Sequence, residues 1–237
     1  MKKLILLILL FCTLLTFGQK TTMKNLKTYE SKPLHFGFSI GLNYMDFSIH
    51  QEDDFYTIDS VYSVENSVSP GFHLGPIINF KILKFLDLRA LFLLSFGQRD
   101  MHYKIFSDTL TNGEPSFETK DMRIESTFME FPILLKYKGK RDGNYRPYLV
   151  GGFAPKYDLA AQKKIKDSEM PKIRLNQLDY YYEFGFGMDF YLEYFKLSAE
   201  VKYAAGLKNI IKYDGTQYTS AIQKMNSRMI MFSLHFE

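Results

Sequence analysis

The chain has 237 residues, 46% hydrophobic and 16% aromatic without tryptophan, and a formal net charge of +4. So even a balance leaves no electrostatic footprint for nucleic acid, and a single cysteine excludes a disulfide framework. Beyond the N-terminus no segment carries the ~18 uninterrupted apolar residues of a membrane helix, so any membrane crossing must be made by strands closed into a barrel.

The chain opens with Met1, Lys2 and Lys3, then an uncharged apolar run from Leu4 to Phe17. Thr16 and Gly18 stand at the −3 and −1 positions of a cut before Gln19, which predicts a secretory signal peptide over residues 1–18. Cys12 lies inside the apolar run behind the bulky Phe11, which argues against a lipid anchor. The cut removes that cysteine and two lysines, leaving 28 Lys+Arg against 26 Asp+Glu. Residues 19–33 then read as a periplasmic N-terminal segment and 34–237 as the folded domain.

Period-2 alternation recurs eight times from residue 34 onward. At 34–45, Phe36, Phe38, Ile40, Leu42 and Tyr44 oppose Gly37, Ser39, Gly41 and Asn43. At 71–82, Phe72, Leu74, Ile78, Phe80 and Ile82 oppose His73, Gly75, Asn79 and Lys81. The stretch 85–97 sets Leu86 to Phe96 against Asp87, Arg89, Ser95 and Gly97, and 123–138 sets Met129 to Tyr137 against Glu130, Pro132 and Lys136. A less regular strand at 145–157 puts Arg146, Gly152 and Lys156 opposite Leu149 and Phe153. Strands at 180–192, 195–206 and 227–236 complete the set, with Glu183, Gly185, Gly187, Asp189, Lys196, Ser198, Glu200, Lys202, Ser233 and His235 on their polar faces.

Connections alternate short and long. The short ones are Leu83–Lys84, Gly139–Asn144 and Glu193–Tyr194; the long ones lie near 46–70, 98–122, 158–179 and 207–226. The expected fold is therefore all-β: an eight-stranded antiparallel transmembrane β-barrel of a Gram-negative outer membrane, with short periplasmic turns and long outer loops. A soluble eight-stranded barrel with an apolar interior is the rival. Glycines crowded on the polar face, aromatics near the ends of the apolar face (Tyr44, Tyr137, Tyr180, Phe195) and the terminal Phe236 favour the membrane form.

In that form the polar face lines a lumen only just wide enough for side chains. Asp87, Arg89, Glu130, Lys136, Arg146, Glu183, Asp189, Glu200 and Lys202 form the expected lumen network, with Lys81 and Lys196 on the same face. Unpaired charges there would be costly, so a packed, ion-paired plug is expected rather than a pore. His35 and His235, at the ends of the first and last strands, are expected to be neighbours at the periplasmic mouth; two ligands make no metal site. No Ser, His and acid fall at a recognisable catalytic spacing, and Gly-rich phosphate loops are absent. The acidic first outer loop, with Glu52, Asp53, Asp54, Asp59 and Glu65, lacks the ligand alternation and turn glycine of a calcium loop. Catalytic, cofactor and metal residues are therefore expected to be absent. The apolar outer-loop residues Tyr103, Ile105, Phe106, Phe117, Ile210, Ile211, Tyr213 and Tyr218 either pack over the mouth, extend the strands or dock a partner; Lys163, Lys164 and Lys166 make the third loop locally basic.

Five strings occur together: KPLHFGFSIGLNYMDF at 32–47, GFHLGPIINFKILKFLDLRALFLLSFGQRD at 71–100, IESTFMEFPILLKYKGKRDGNYRPYLVGGF at 124–153, DYYYEFGFGMDFYLEYFKLSAEVKYAAG at 179–206 and NSRMIMFSLHFE at 226–237. With them the chain resembles the PorT family of outer-membrane barrels over nearly all its length after the leader. The stretch around Glu125, Glu130 and Pro132 and the NYRPY stretch with Arg146 and Pro147 carry the resemblance best. The resemblance implies a part in the type IX secretion system, which exports proteins bearing a C-terminal sorting domain and in some bacteria supports gliding motility. It carries over no catalytic residue. Implied partners are outer-membrane lipids and other envelope proteins of the secretion system, and so small a barrel implies an accessory or assembly role rather than passage of substrate.

Overall fold

A computed structural model describes residues 24–51, 61–111, 114–161, 173–213 and 217–237. The expected signal peptide at 1–18, and with it Cys12, lies outside these residues, as do Glu52, Asp53, Asp54, Asp59, Lys163, Lys164 and Lys166. The strands are β1 (Leu34–Gln51), β2 (Val61–Ser67), β3 (Ser69–Leu83), β4 (Leu86–Leu91), β5 (Leu93–Thr111), β6 (Glu114–Glu130), β7 (Ile133–Lys138), β8 (Tyr145–Asp158), β9 (Arg174–Leu175), β10 (Leu178–Tyr191), β11 (Lys196–Gly206), β12 (Ile211–Lys212) and β13 (Ile222–Phe236). A 3-10 turn at Tyr29–Ser31 precedes them and a single helical turn at Gln217–Ser220 leads into β13.

Eleven strands form one sheet, in the order β10-β11-β13-β1-β3-β4-β7-β8-β6-β5-β2, and a further β10–β8 pairing closes it into a barrel. Every pairing is antiparallel, and β9 with β12 makes a separate two-stranded sheet. The sequence predicts eight uninterrupted strands; the ladders break at three places instead, at Val68 in the expected 46–70 connection and inside the segments predicted at 85–97 and 123–138. Between Phe72↔Phe96 and Ser67↔Asp100 the register slips by one residue at Val68, separating β2 from β3. The other two cuts lie where proline enters the ladders. The Phe92 N–H donates to the Pro76 carbonyl at 3.2 Å, Leu91 N–H to Pro132 at 3.0 Å and Phe131 N–H to Pro155 at 3.0 Å. Proline returns no N–H, so each pair holds one bond where two are usual. The three gaps fall on adjacent seams at nearly one height.

Side-chain direction is inverted relative to a soluble protein. On β1, Leu34, Phe36, Phe38, Ile40, Leu42 and Tyr44 are all exposed, while Ser39 and Asn43 are fully buried. Phe184, Phe186, Phe232, Leu234, Ile133 and Leu135 continue the apolar belt on neighbouring strands. From Leu34 to Tyr44 the row runs about 33 Å along the strand, or about 25 Å along the axis at a tilt of ~40°, which matches the apolar band of a membrane barrel. Strands of eighteen and nineteen residues, β1 and β5, are far longer than that band requires. Their upper halves, with β2 and β6, therefore rise above it. Much of 46–70 and 98–122, expected as loops, is thus strand. The short turns stay at the opposite end, and Gly143 there adopts a left-handed φ of 53°.

Inside, the polar-face glycines make room where the chain is crowded. A Cβ on Gly41 would meet His73 Cε1 at 2.6 Å, and one on Gly187 would overlap the Tyr148 ring. Above the belt the interior turns apolar: Phe47, Val64, Met101, Tyr103, Met122, Ile210, Ile211, Tyr218 and Met225 form one buried cluster.

Candidate functional site: a filled lumen closed at both ends

Charges within the barrel pair mostly between adjacent strands, as Lys156 does with Glu130, and Arg89 reaches across the barrel to Glu200. Lowest, Lys138 Nζ lies 2.6 Å from Asp87 Oδ1 and Lys196 Nζ 2.5 Å from Glu237 Oε2. Above them Lys136 donates to Asp189 at 2.7 Å, Ser198 donates to the same carboxylate at 2.5 Å, and Arg89 holds Glu200 at 2.6 Å. Lys156 then bridges Glu130 at 2.8 Å and Glu183 at 3.3 Å, and Lys202 meets Glu183 at 2.7 Å. The side chains of Arg89, Glu200, Lys156, Glu130 and Glu183 have no exposed surface. Aromatic faces complete the cages: Lys136 Nζ sits 3.7 Å from the Tyr148 ring centroid and Lys156 Nζ 4.4 Å from Tyr181. Such contacts contribute about 2 kcal/mol when desolvated.

Eight of the nine residues predicted for the lumen network pair with other lumen charges, and Arg146 turns downward instead, to Glu30 at 3.2 Å. Lys81 likewise leaves the lumen, donating to the Glu30 carbonyl at 2.6 Å. Lys156 is the hub that the predicted network lacks, although alternation already turns it inward. Lys138, Glu237 and the Arg99–Asp158 pair at 3.2 Å are further members. Arg99 lies past the predicted end of its strand; only the continuing alternation through Leu93, Ser95 and Gly97 signals it.

The histidines part company. Ser39, not His35, stands opposite His235, because neighbouring strands are staggered around the barrel. Four residues of offset correspond to about 13 Å. His235 Nδ1 bonds Ser39 Oγ at 3.0 Å, while His35 stacks on Tyr29 with ring centroids 3.9 Å apart. His73, bonded to Ser233 Oγ at 3.0 Å, takes the place beside this group.

Both mouths are covered. Below, Asn25 Nδ2 donates to the Tyr191 carbonyl, Arg141 donates to the Asn25 carbonyl, and the Tyr29 hydroxyl donates to Glu237 Oε2 at 2.7 Å. Burial and then the Glu237 carboxylate push the Tyr29 phenol well above its ordinary range, so it remains a donor. The cavity left between Tyr29, Asp87, Tyr191 and Lys196 measures about 40 Å³. That is room for about three waters. Above, Arg99 spans to Ser227 at 2.8 Å and to Asp158, with the Phe47 ring 4.3 Å away, and the apolar cluster lies over it. The loop residues Tyr103, Ile105, Ile210, Ile211 and Tyr218 are buried in that cluster; Phe117 and Tyr213 are exposed. Glu65, from the acidic loop, pairs with Lys104 at 3.1 Å.

A charged interior inside an apolar exterior fits a membrane, and residues 17–212 match the family described as outer membrane protein beta-barrel domain. The chain belongs to that family. This outer membrane β-barrel is similar in fold to Neisserial surface protein A, with 11% identity, coverage of 86% of this chain and 98% of that one, and a TM-score of 0.44. OprG of Pseudomonas aeruginosa is similar at 11% identity, 91% and 96% coverage and a TM-score of 0.48. Ail of Yersinia pestis is similar at 11% identity, 85% and 96% coverage and a TM-score of 0.35. No curated protein matches the sequence.

Proposed function

We propose that this outer-membrane barrel is an accessory or assembly factor of type IX protein secretion, and of gliding where the same system drives it, acting through protein contacts at its loops and rims. Counting β2 with β3, β4 with β5 and β6 with β7 as single staves, each pair parted by one or two residues, makes it an eight-stave barrel. The observation that carries the reading is the filled lumen. Solute passage would have to break several buried ion pairs at once, each losing about 3–5 kcal/mol when one partner is removed. A barrel so closed works from its outside. The link to secretion rests on the PorT resemblance, whose strings build β1, β3 to β5, β6 to β8, β10, β11 and β13. On this reading the protein is no enzyme, needs no cofactor and binds no nucleic acid. Its partners are outer-membrane lipids and envelope proteins of the secretion system.

Deleting the gene and analysing the culture supernatant tests it. Loss of exported proteins that bear sorting domains is expected; a full complement of them overturns the reading. A second reading, a small barrel for adhesion, draws on the three-stranded projection of β2, β5 and β6 above the belt. It requires secretion to be intact and surface attachment to fall in the same strain.

A further inference from the structure

One wall of the barrel changes from apolar to cationic within a single turn of the side-chain pattern. On β13 the outward row Phe236, Leu234, Phe232, Ile230 is exposed, and the next outward residue is Arg228. Ile230 stands in register with Tyr44 on β1 and Tyr203 on β11, which sets the upper edge of the lipid belt there. Arg228 is held by Asp46 at 2.6 Å. Immediately above lie Lys208, Lys224, Lys212 and Arg174, all exposed, and among the described residues none of the four forms a salt bridge. Lys208 Nζ sits 4.4 Å from the ring centroid of Tyr180 at the belt edge, while Asp179 is buried and accepts from the Lys208 and Tyr180 backbone N–H groups.

The arrangement holds a second, independent oddity. Arg174 and Lys212 are directly paired in the β9–β12 ladder. Like charges opposite one another destabilise a sheet unless an anion sits between them. Leu175 and Ile211 beside them are buried in the upper cluster, so both cations are turned outward. The Ile210 N–H donates to the Met225 carbonyl, which brings this ladder against β13 and Lys224. By contrast the β5–β6 face mixes signs, with Lys104 paired to Glu65 and Arg123 near Asp100.

We propose that the wall made by β9, β12 and the upper part of β13 binds the phosphorylated headgroup of an outer-leaflet lipid. Arg174, Lys208, Lys212 and Lys224 are its phosphate ligands, and its acyl chains lie along the row that begins at Ile230. A lipid is chosen over a soluble anion because the cations rise directly from that apolar row, so one molecule satisfies both. Basic groups next to a membrane surface each add to the attraction for anionic lipid.

The test uses the full chain in phosphatidylcholine nanodiscs, titrated with diphosphoryl lipid A. Arg174, Lys208, Lys212 and Lys224 changed together to Gln should weaken binding at least tenfold, with the shift between folded and boiled gel mobility unchanged. Lys104, Lys120 and Arg123 changed together to Gln should alter it less than twofold. Should the fourfold variant fail to fold, K212Q with K224Q is read in the same way. Binding by the variant within twofold of wild type overturns the proposal. So does an equal loss in the β5–β6 control, or displacement by inorganic phosphate as effective as displacement by lipid A.

Discussion

The Tyr29 hydroxyl, donating to Glu237 at 2.7 Å, ties the segment before β1 to the residue that follows β13. Tyr29 also stacks on His35 and meets Tyr191 edge-on at 6.0 Å. Tyr29→Phe keeps the ring contacts and removes only the bond to a charged acceptor. It should lower stability by about 1.5–3 kcal/mol, read as a fall in the urea midpoint of detergent-solubilised protein. An unchanged midpoint would show that the covering segment contributes nothing to closure.

The same phenol gives a pH dependence. Its folded pKa is raised, so its contribution is fully present below the unfolded value of about 10 and is lost as pH rises past it. Wild-type stability should therefore decline above about pH 10 more steeply than that of Tyr29→Phe. Parallel curves for the two proteins in alkaline denaturation would contradict this.

Lys156→Met takes the shared ammonium from Glu130 and Glu183 and strands Glu130, whereas Glu183 retains Lys202. The cost should be about 3–5 kcal/mol. Adding Glu130→Gln removes the orphaned charge and should recover part of the loss. Additive effects in the double-mutant cycle would mean the hub does not couple these groups.

Wild-type protein in planar bilayers should show no stable conductance, since the ion pairs and the apolar cluster both stand in the path. Deleting residues 24–33 should leave it silent, because the layers from Asp189 upward remain. Reproducible single-channel steps from the wild type would refute the closed lumen.

Gly187→Val tests the crowding beside Tyr148. The added side chain overlaps that ring, and overpacking of this kind costs about 1–3 kcal/mol. The gel-mobility transition should move to lower temperature; Gly151→Ala, whose Cβ would meet its nearest neighbour only at 3.8 Å, should leave it in place.

Alternation made the barrel legible wherever one face meets lipid and the other the lumen, as from Tyr180 to Phe190. It fails at Met45, Asp46 and Phe47, all buried, because above the belt β1 no longer has a lipid side. The inward charges were readable one by one, but their partners were not. Lys156 meets Glu130 and Glu183, whose ladders flank its own, whereas Arg89 reaches Glu200 across the barrel, and neither choice follows from position in the chain. The separation of His35 from His235 is the same blindness to stagger. The prolines at 76, 132 and 155 were visible as residues; that they fall side by side depends on register, which alternation fixes only to the nearest even step.

Those prolines leave a crease around almost half the circumference. Above it stand the long hairpin of β5 and β6 and the apolar cluster; below it lies most of the ionic scaffold. A pull on the hairpin acts as on a lever, and a sheet folds most easily along its thinnest line of bonds. Strain arriving from outside the cell would therefore be taken up as a tilt of the upper storey, and the charged floor beneath would keep its shape.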